Sequence, residues 1–500
     1  MNTSPSLARR LRNGCAGIAA VVLAALSPAG AMAADPGTDA TRDAFAYYGQ
    51  WLDYQRGYQR IPGIQVAARI GDDLALSRSY GYADVEKKIP LASSHLFRIA
   101  SHSKTFTSIA ILQLVEQGRI RLDDTAGHWL PWLGEAGSPL ASATVAELLS
   151  HSSGVIRDGR DSDFWQLGKP FPDRDALKSE LLVAQASVIP SNEHFKYSNI
   201  GYGMLGLIIE AATGEDYNAH VRRDIVERLG LRNTGPEYEP ARAREYATGY
   251  SSLLYADHRV PIDHVDTEAL SAATGFYANA EDLTRYFSAY YFGNASLVGD
   301  ASKRRMFHPV WSDDDNRTSG STYGLGVFID KVNERTLVGH SGGYPGHITI
   351  SMTDPEDRIA VSVLTNALGS PVSPMVQTAY KLIDLAKKSQ REPGAVPDGV
   401  DLHRFTGRFA RLWGVFDVAV LGGKLYMLSP NELDPVKSSI PLTVIDDHTL
   451  RVDGGTGGNQ YREPMVYSFD RDGRVESVRV SGLYLPIDKW KMPARVRRSY

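Results

Sequence analysis

FRIASHSKTFTSIAILQLVEQG, residues 97–118, sets a serine and a lysine three positions apart at the head of an apolar run. From Thr105 to Gln117 the apolar residues Phe106, Ile109, Ala110, Leu112, Leu114 and Val115 recur at helical spacing, and Gly118 is placed to end the segment. The pattern predicts a helix. Residues i and i+3 share a helix face, so Ser101 and Lys104 are expected side by side. A serine hydroxyl must lose its proton to become a nucleophile, and an amine kept partly neutral by burial can take or relay that proton. The free N–H groups of a helix start also favour developing negative charge. Alone, the pair proves little: S-x-x-K arises by chance, and serine is a common helix cap.

The 500 residues suggest two domains, and 43% hydrophobic with 22% charged residues is the composition of a globular protein. Arg9, Arg10 and Arg12 precede the apolar run AGIAAVVLAAL, and Ala31-Met32-Ala33 offers a small-residue cleavage site. Residues 1–33 are therefore expected to be a secretory signal, the chain to be exported to a periplasmic or extracellular space, and no stable membrane span to remain after its removal. Two adjacent arginines are weak evidence for a twin-arginine route. Cys15, the single cysteine, lies inside this leader, which excludes disulfides and cysteine catalysis from the mature chain. Without the three leader arginines the net charge moves from −4 to −7, so nucleic acid is not an expected partner. Oligomeric state is not legible.

Working outward from residues 97–118, IQVAARI (64–70) and LALSRSYGY (74–82) read as a hairpin around Gly71-Asp72-Asp73. Mostly helical sequence follows between about Asp123 and Leu270, including GYGMLGLIIEAATG. Asn279-Ala-Glu-Asp282 opens another helix with a capping pattern. Strand character returns at YGLGVFID, RTLVGH, HITISMTD and RIAVSVLTN, before a helix over Met375–Lys387. The expected fold is an α/β body: an antiparallel sheet closed by distant segments, flanked by helices, with a helical subdomain inserted. This domain is assigned to 34–388 and a Pro/Gly-rich linker to 389–398. Residues 399–500 carry six short strand-like segments with turn signals, a small antiparallel barrel or sandwich without recognisable chemistry, taken as a stabilising or substrate-gating appendage.

Two further motifs accompany Ser101 and Lys104. Tyr197-Ser198-Asn199 precedes an apolar helix; the Tyr197 phenol near Lys104 can serve as base or proton relay, and the Asn199 amide can orient the lysine or a substrate carbonyl. A rival at Tyr277-Ala278-Asn279 is better explained by Asn279 as a helix cap. His340-Ser341-Gly342 lies at a strand end, with His340 and Ser341 as substrate-positioning residues. The Gly343 N–H could pair with that of Ser101 as an oxyanion hole. Gly339 to Gly343 also matches G-x-S-x-G, which would make Ser341 the nucleophile, but no helix follows it. No H-E-x-x-H occurs; His258 and His264 read as surface or turn residues, and neither metal nor cofactor is expected.

In the order Ser-x-x-Lys, Tyr-Ser-Asn, His-Ser-Gly, the chain resembles the serine beta-lactamase and penicillin-binding-protein superfamily. The likeness is to its branch of class C beta-lactamases, D-alanyl-D-alanine carboxypeptidases, D-aminopeptidases and esterases, and runs from about Ile64 to Leu385. It implies a Ser101 acyl-enzyme, Lys104 and Tyr197 as proton-transfer groups, Asn199 as positioning residue, His340 on the substrate-facing strand, a structural His151, and a lipocalin-like C-terminal domain. Beta-lactamases of this branch usually carry lysine at the His340 position. Histidine, with a reference pKa of about 6.5, points to a small amide, peptide or ester substrate, with efficiency on anionic substrates expected to fall as His340 loses its proton. Alternatives are a beta-lactamase, an esterase using Ser341, and a penicillin-recognising or peptidoglycan-binding protein acylated without turnover.

Overall fold

Gly63–Ile70 (β1) and Asp73–Asp84 (β2) form the expected antiparallel hairpin. The computed structural model describes residues 36–253, 257–311, 322–454 and 460–492; the leader reading at 1–33, with Cys15, lies outside the described residues. Ile89–Pro90 (β3), Thr322–Tyr323 (β4), Phe328–Val332 (β5), Arg335–Tyr344 (β6), His347–Asp354 (β7) and Ile359–Thr365 (β8) complete an eight-stranded sheet in the order β3-β2-β1-β8-β7-β6-β5-β4. Distant segments close it: β1 pairs antiparallel with β8, Val66 facing Val363.

Helices flank this sheet, among them Pro36–Tyr58 (α1), Ser103–Glu116 (α2), Asn199–Thr213 (α3), Ala280–Ser288 (α4) and Val372–Arg391 (α5). Alternate strand residues point to opposite faces. Ala67, Val338, Ala360 and Leu364 join one core with α2, α3 and α4, whereas Val66, Ala68, Ile350, Val361 and Val363 join a second core with α1 and α5. Because both faces are covered, β8 is buried along its whole length. Helix α2 is enclosed as well, buried from Ser103 through Leu114. Local chemistry starts several elements of the helical insertion: Thr144 and Glu147 form a reciprocal capping box at Val145–Leu149. Asn279 caps α4 by accepting from the Asp282 N–H, which settles the rival Tyr-x-Asn as a cap.

The C-terminal strands close into an eight-stranded barrel: Gly407–Arg411 (β9), Gly414–Leu421 (β10), Lys424–Leu428 (β11), Ile440–Val444 (β12), Thr449–Val452 (β13), Pro464–Phe469 (β14), Val475–Arg479 (β15) and Leu483–Pro486 (β16). Two strands exceed the six expected. β9 and β16 are short and hold arginine or proline, so their alternation is weak, yet they close the barrel through Phe409 and Pro486. Phe405, Phe409, Phe416, Leu450, Met465, Tyr467 and Val478 fill its interior. The expected linker at 389–398 starts too early, since α5 continues to Arg391 and Ser389 meets Tyr426 of the barrel at 2.8 Å.

The barrel sits on the α1 and α5 layer. Trp51 and Gln55 donate to the carbonyls of Glu432 (3.1 Å) and Pro430 (2.6 Å), Thr378 donates to the Leu433 carbonyl, and Lys381 pairs with Asp434. Ser101 leads into α2, which packs on the other face of the sheet.

Candidate active site

Ser101 lies in the turn that leads into α2 and not in the regular helix. Ala100–His102 form a tight 3-10 turn and α2 begins at Ser103. Ala100 has φ +44°, a left-handed conformation that costs a residue with a Cβ on the order of 1–3 kcal/mol. The turn is held by its surroundings: Ser103 donates to the Ala100 carbonyl at 2.6 Å and accepts from the Phe276 N–H at 3.0 Å. Beneath it, buried His102 contacts the Ile99 carbonyl and the Ser351 hydroxyl, both at 3.1 Å, and burial pushes its imidazole down to about 4. Ser101 stays partly exposed while its neighbours on both sides are buried.

Lys104 is fully buried. Its Nζ lies 3.1 Å from Ser101 Oγ, 2.7 Å from Asn199 Oδ1 and 3.0 Å from the Ala273 carbonyl. Burial holds the amine well below the usual lysine range, opposed by the Asp158 charge and assisted by Arg157. An uncharged amine has two N–H groups and one lone pair. In that form Asn199 Oδ1 and the Ala273 carbonyl can accept the two hydrogens, which leaves the lone pair for the Ser101 hydroxyl; as the ammonium, Nζ donates to all three.

Tyr197 and Asn199 arrive together at the start of α3, where Ser198 caps the helix through the Gly201 N–H. Tyr197 is half-buried, hydrogen-bonded to Ser101, and its ring lies 4.7 Å from Lys104 Nζ. Burial pushes the phenol well above its ordinary value, so it keeps its proton. His151 packs against the same ring at 4.2 Å and accepts from the Ser198 N–H through Nδ1, a supporting position in line with its structural reading.

His340 departs from expectation. It lies on β6, 1% exposed, with Nδ1 donating to the Ser341 carbonyl at 2.6 Å and Nε2 accepting from the Tyr323 hydroxyl at 3.2 Å. Burial is the largest cause holding it well below 6.5, so it does not titrate toward a substrate near that pH. The cause is strand alternation: His340 points into the core, while Ser341 is partly exposed and Gly343 exposed. Gly342 brings this strand against the Ser101 turn, since a Cβ there would lie 2.0 Å from the Ile99 carbonyl oxygen. The elbow reading of Ser341 fails, because β6 runs on to Tyr344 and turns directly into β7.

The described residues bring Ser101, Lys104, Tyr197 and Asn199 into contact, with His340 at 6.5 Å from Tyr197 between ring centres. Sequence reasoning missed three participants. The Ala273 carbonyl has no side-chain signature, the Ala100 conformation none at all, and Asp158, which accepts from Asn199 Nδ2 at 2.5 Å, sits in an irregular loop. His264, read as a surface or turn residue, is half-buried in irregular chain, its ring 5.2 Å from His347, and burial pushes it down to about 4. Among the described residues no group of three His, Cys, Asp or Glu side chains could hold a metal ion, and no helix is long and apolar enough to cross a membrane.

Residues 49–385 match the family described as Beta-lactamase. Penicillin-binding protein 4* of Bacillus subtilis (strain 168) is 30% identical over 316 residues, 60% of this chain and 67% of that one. The chain spans about two thirds of the length of the curated relatives it matches. Among solved structures, the octameric penicillin-binding protein homologue from Pyrococcus abyssi superimposes with a TM-score of 0.61 at 23% identity, covering 88% of this chain and 99% of its own. The D-amino acid amidase from Ochrobactrum anthropi SV3 gives 0.56 at 23% identity, covering 70% and 99%. The last two likenesses concern the fold. With the family match spanning the sheet, the Ser101 turn and the His-Ser-Gly strand, the chain belongs to the beta-lactamase family of serine hydrolases.

Proposed function

We propose that this protein is an exported hydrolase that cleaves a small amide, peptide or ester through an acyl-enzyme at Ser101, with peptides and amides of D-residues as first substrates. The observation that carries the reading is the setting of Lys104: buried, held well below the usual lysine range, and within hydrogen-bond distance of Asn199 Oδ1, the Ala273 carbonyl and Ser101 Oγ, so that its neutral form can give its two hydrogens to the first two and its lone pair to the third. Lys104 takes the hydroxyl proton as Oγ attacks the substrate carbonyl carbon. The oxyanion accepts from the N–H groups of Ser101 and Gly343. As the tetrahedral species collapses, the proton passes through Tyr197 to the departing amine or alkoxide, a relay that suits a phenol which keeps its own proton. Water then attacks the ester and the same groups act in reverse.

The neutral, internally bonded His340 favours amides and esters over penicillin-like substrates, because β6 offers no fixed cation for a carboxylate at that position. The test is a panel of D-amino-acid amides, D-Ala-D-Ala peptides, short esters and a cephalosporin, run on wild type and Ser101→Ala. Turnover of amides or esters above the cephalosporin, with loss of activity in Ser101→Ala and a covalent inhibitor adduct mapped to Ser101, is expected. An adduct on Ser341, or an active Ser101→Ala, overturns the mechanism; stable acylation without turnover replaces it with a binding protein on the same scaffold. Export is tested by expressing the full chain with its first 33 residues and sequencing the N-terminus of the product; an uncleaved cytoplasmic product overturns that part.

A further inference from the structure

Asn199 can do its work in only one of two orientations. Its amide has an accepting end and a donating end. In the structure Oδ1 faces Lys104 Nζ at 2.7 Å and Nδ2 faces Asp158 Oδ1 at 2.5 Å. A flipped amide would set N–H against N–H at Lys104 and oxygen against carboxylate at Asp158. The Asp158 carboxylate is the group that removes this ambiguity. Its own position is fixed from two further directions: Trp165 Nε1 donates to Oδ1 at 2.9 Å, and Arg157 Nε pairs with Oδ2 at 3.0 Å. Trp165 belongs to a loop with its own small aromatic core, packing on Phe164 and Phe171 at 5.8 and 5.1 Å between ring centres.

We propose that Asp158 is a positioning residue for the reaction: it holds the Asn199 amide so that its oxygen faces Lys104, and through Trp165 it couples that setting to the 161–173 loop. This rests on Lys104 acting as the base of a Ser101 acyl-transfer site. The groups facing Lys104 are the rings of Tyr197 and Tyr202, the neutral imidazoles of His151 and His340, and, beyond Asn199, the opposed charges of Asp158 and Arg157. Asp158 is thus also the negative charge that favours the ammonium form of Lys104, while Arg157 disfavours it. Orientation and charge act through the same carboxylate and can be separated by substitution.

The experiment compares Asp158→Ala, Asp158→Asn and Trp165→Phe with wild type in kcat, KM and the pH profile of kcat/KM, on whichever amide or ester the wild type turns over. Asp158→Ala should lower kcat by about 10- to 100-fold, the scale of one misdirected buried hydrogen bond, with a smaller change in KM. Asp158→Asn retains an accepting oxygen, so it should recover most of kcat while its acid limb moves to lower pH, since the charge favouring protonated Lys104 is gone. Trp165→Phe should lower kcat a few-fold; a wild-type rate there overturns the coupling to the loop. Folded Asp158→Ala and Asp158→Asn with wild-type kcat and an unmoved acid limb overturn the proposal. If Asp158→Ala does not fold, the acid limb of Asp158→Asn decides alone. An active Ser101→Ala would instead remove the acyl-enzyme reading, so the two failures are distinguishable.

Discussion

The eight-stranded sheet and the eight-stranded barrel use the same antiparallel pairing and arrive at opposite interiors. Where the sheet meets α2, the core encloses Lys104, His102, His340 and a strained Ala100, and burial holds the lysine amine well below its usual range. Inside the barrel the filling is Phe405, Phe409, Phe416 and Tyr467 with aliphatic neighbours, and the ionisable pair Arg408 and Asp417 belongs to the side facing α1. One region carries polar groups whose burial costs stability, while the described interior of the other is filled mainly by aromatic and aliphatic groups whose burial stabilises.

The sharpest way to break this contrast is to exchange a buried polar group for an apolar one. Lys104→Met should lower kcat/KM by about 10³-fold or more, within the range of lost acid–base catalysis, while the urea midpoint stays level or rises because a desolvated amine is gone. A large loss of stability would place Lys104 among the structural residues. Phe409→Ala should do the reverse. With its ring packed on Phe416 and Tyr467, its loss should cost about 3–5 kcal/mol in the barrel's unfolding transition and leave kcat of the folded enzyme unchanged; a fall in kcat would tie the barrel to the cleft.

Acid should act on the catalytic body before the barrel. His102 and His264 are pushed down to about 4 from an ordinary value near 6.5, and His151, His340 and His347 are held well below it, burial being the largest cause in each. The unfolded chain binds protons that the folded one refuses, so stability is full above about pH 6.5 and is lost as pH falls toward about 4. Each such group removes about 1.4 kcal/mol per pH unit across that window. Urea unfolding at stepped pH checks this, and a flat midpoint across the window would contradict the neutral burial of these residues. Smallest of all, Trp413→Ser at the exposed β9–β10 hairpin tip, where the ring is 85% exposed, should change stability by less than about 0.5 kcal/mol and activity not at all.

Most of the sheet was legible because period-two alternation and local turn chemistry write themselves into short segments. β1, β2, β7 and β8 fall where IQVAARI, LALSRSYGY, HITISMTD and RIAVSVLTN predict, and Asn279 caps its helix as the sequence proposes. The barrel's outer strands were not legible, since β9 and β16 exist through pairing with each other across the closure. Ser101, Lys104, Tyr197 and Asn199 could be nominated from motifs, each residue type having a chemistry of its own. Asp158 and the Ala273 carbonyl could not, because their importance lies in what they touch.

The sequence by itself determined the family, the α/β body with its β appendage, and the identities of a hydroxyl, an amine, a phenol and an amide capable of acyl transfer. Tertiary structure decided which way the proton affinities of those groups move. Burial of its helix on every side holds the Lys104 amine well below the usual lysine range, and His340 is held well below its ordinary value because strand alternation turns it inward. The cost of moving a charge out of water depends on surroundings assembled from segments far apart in the chain.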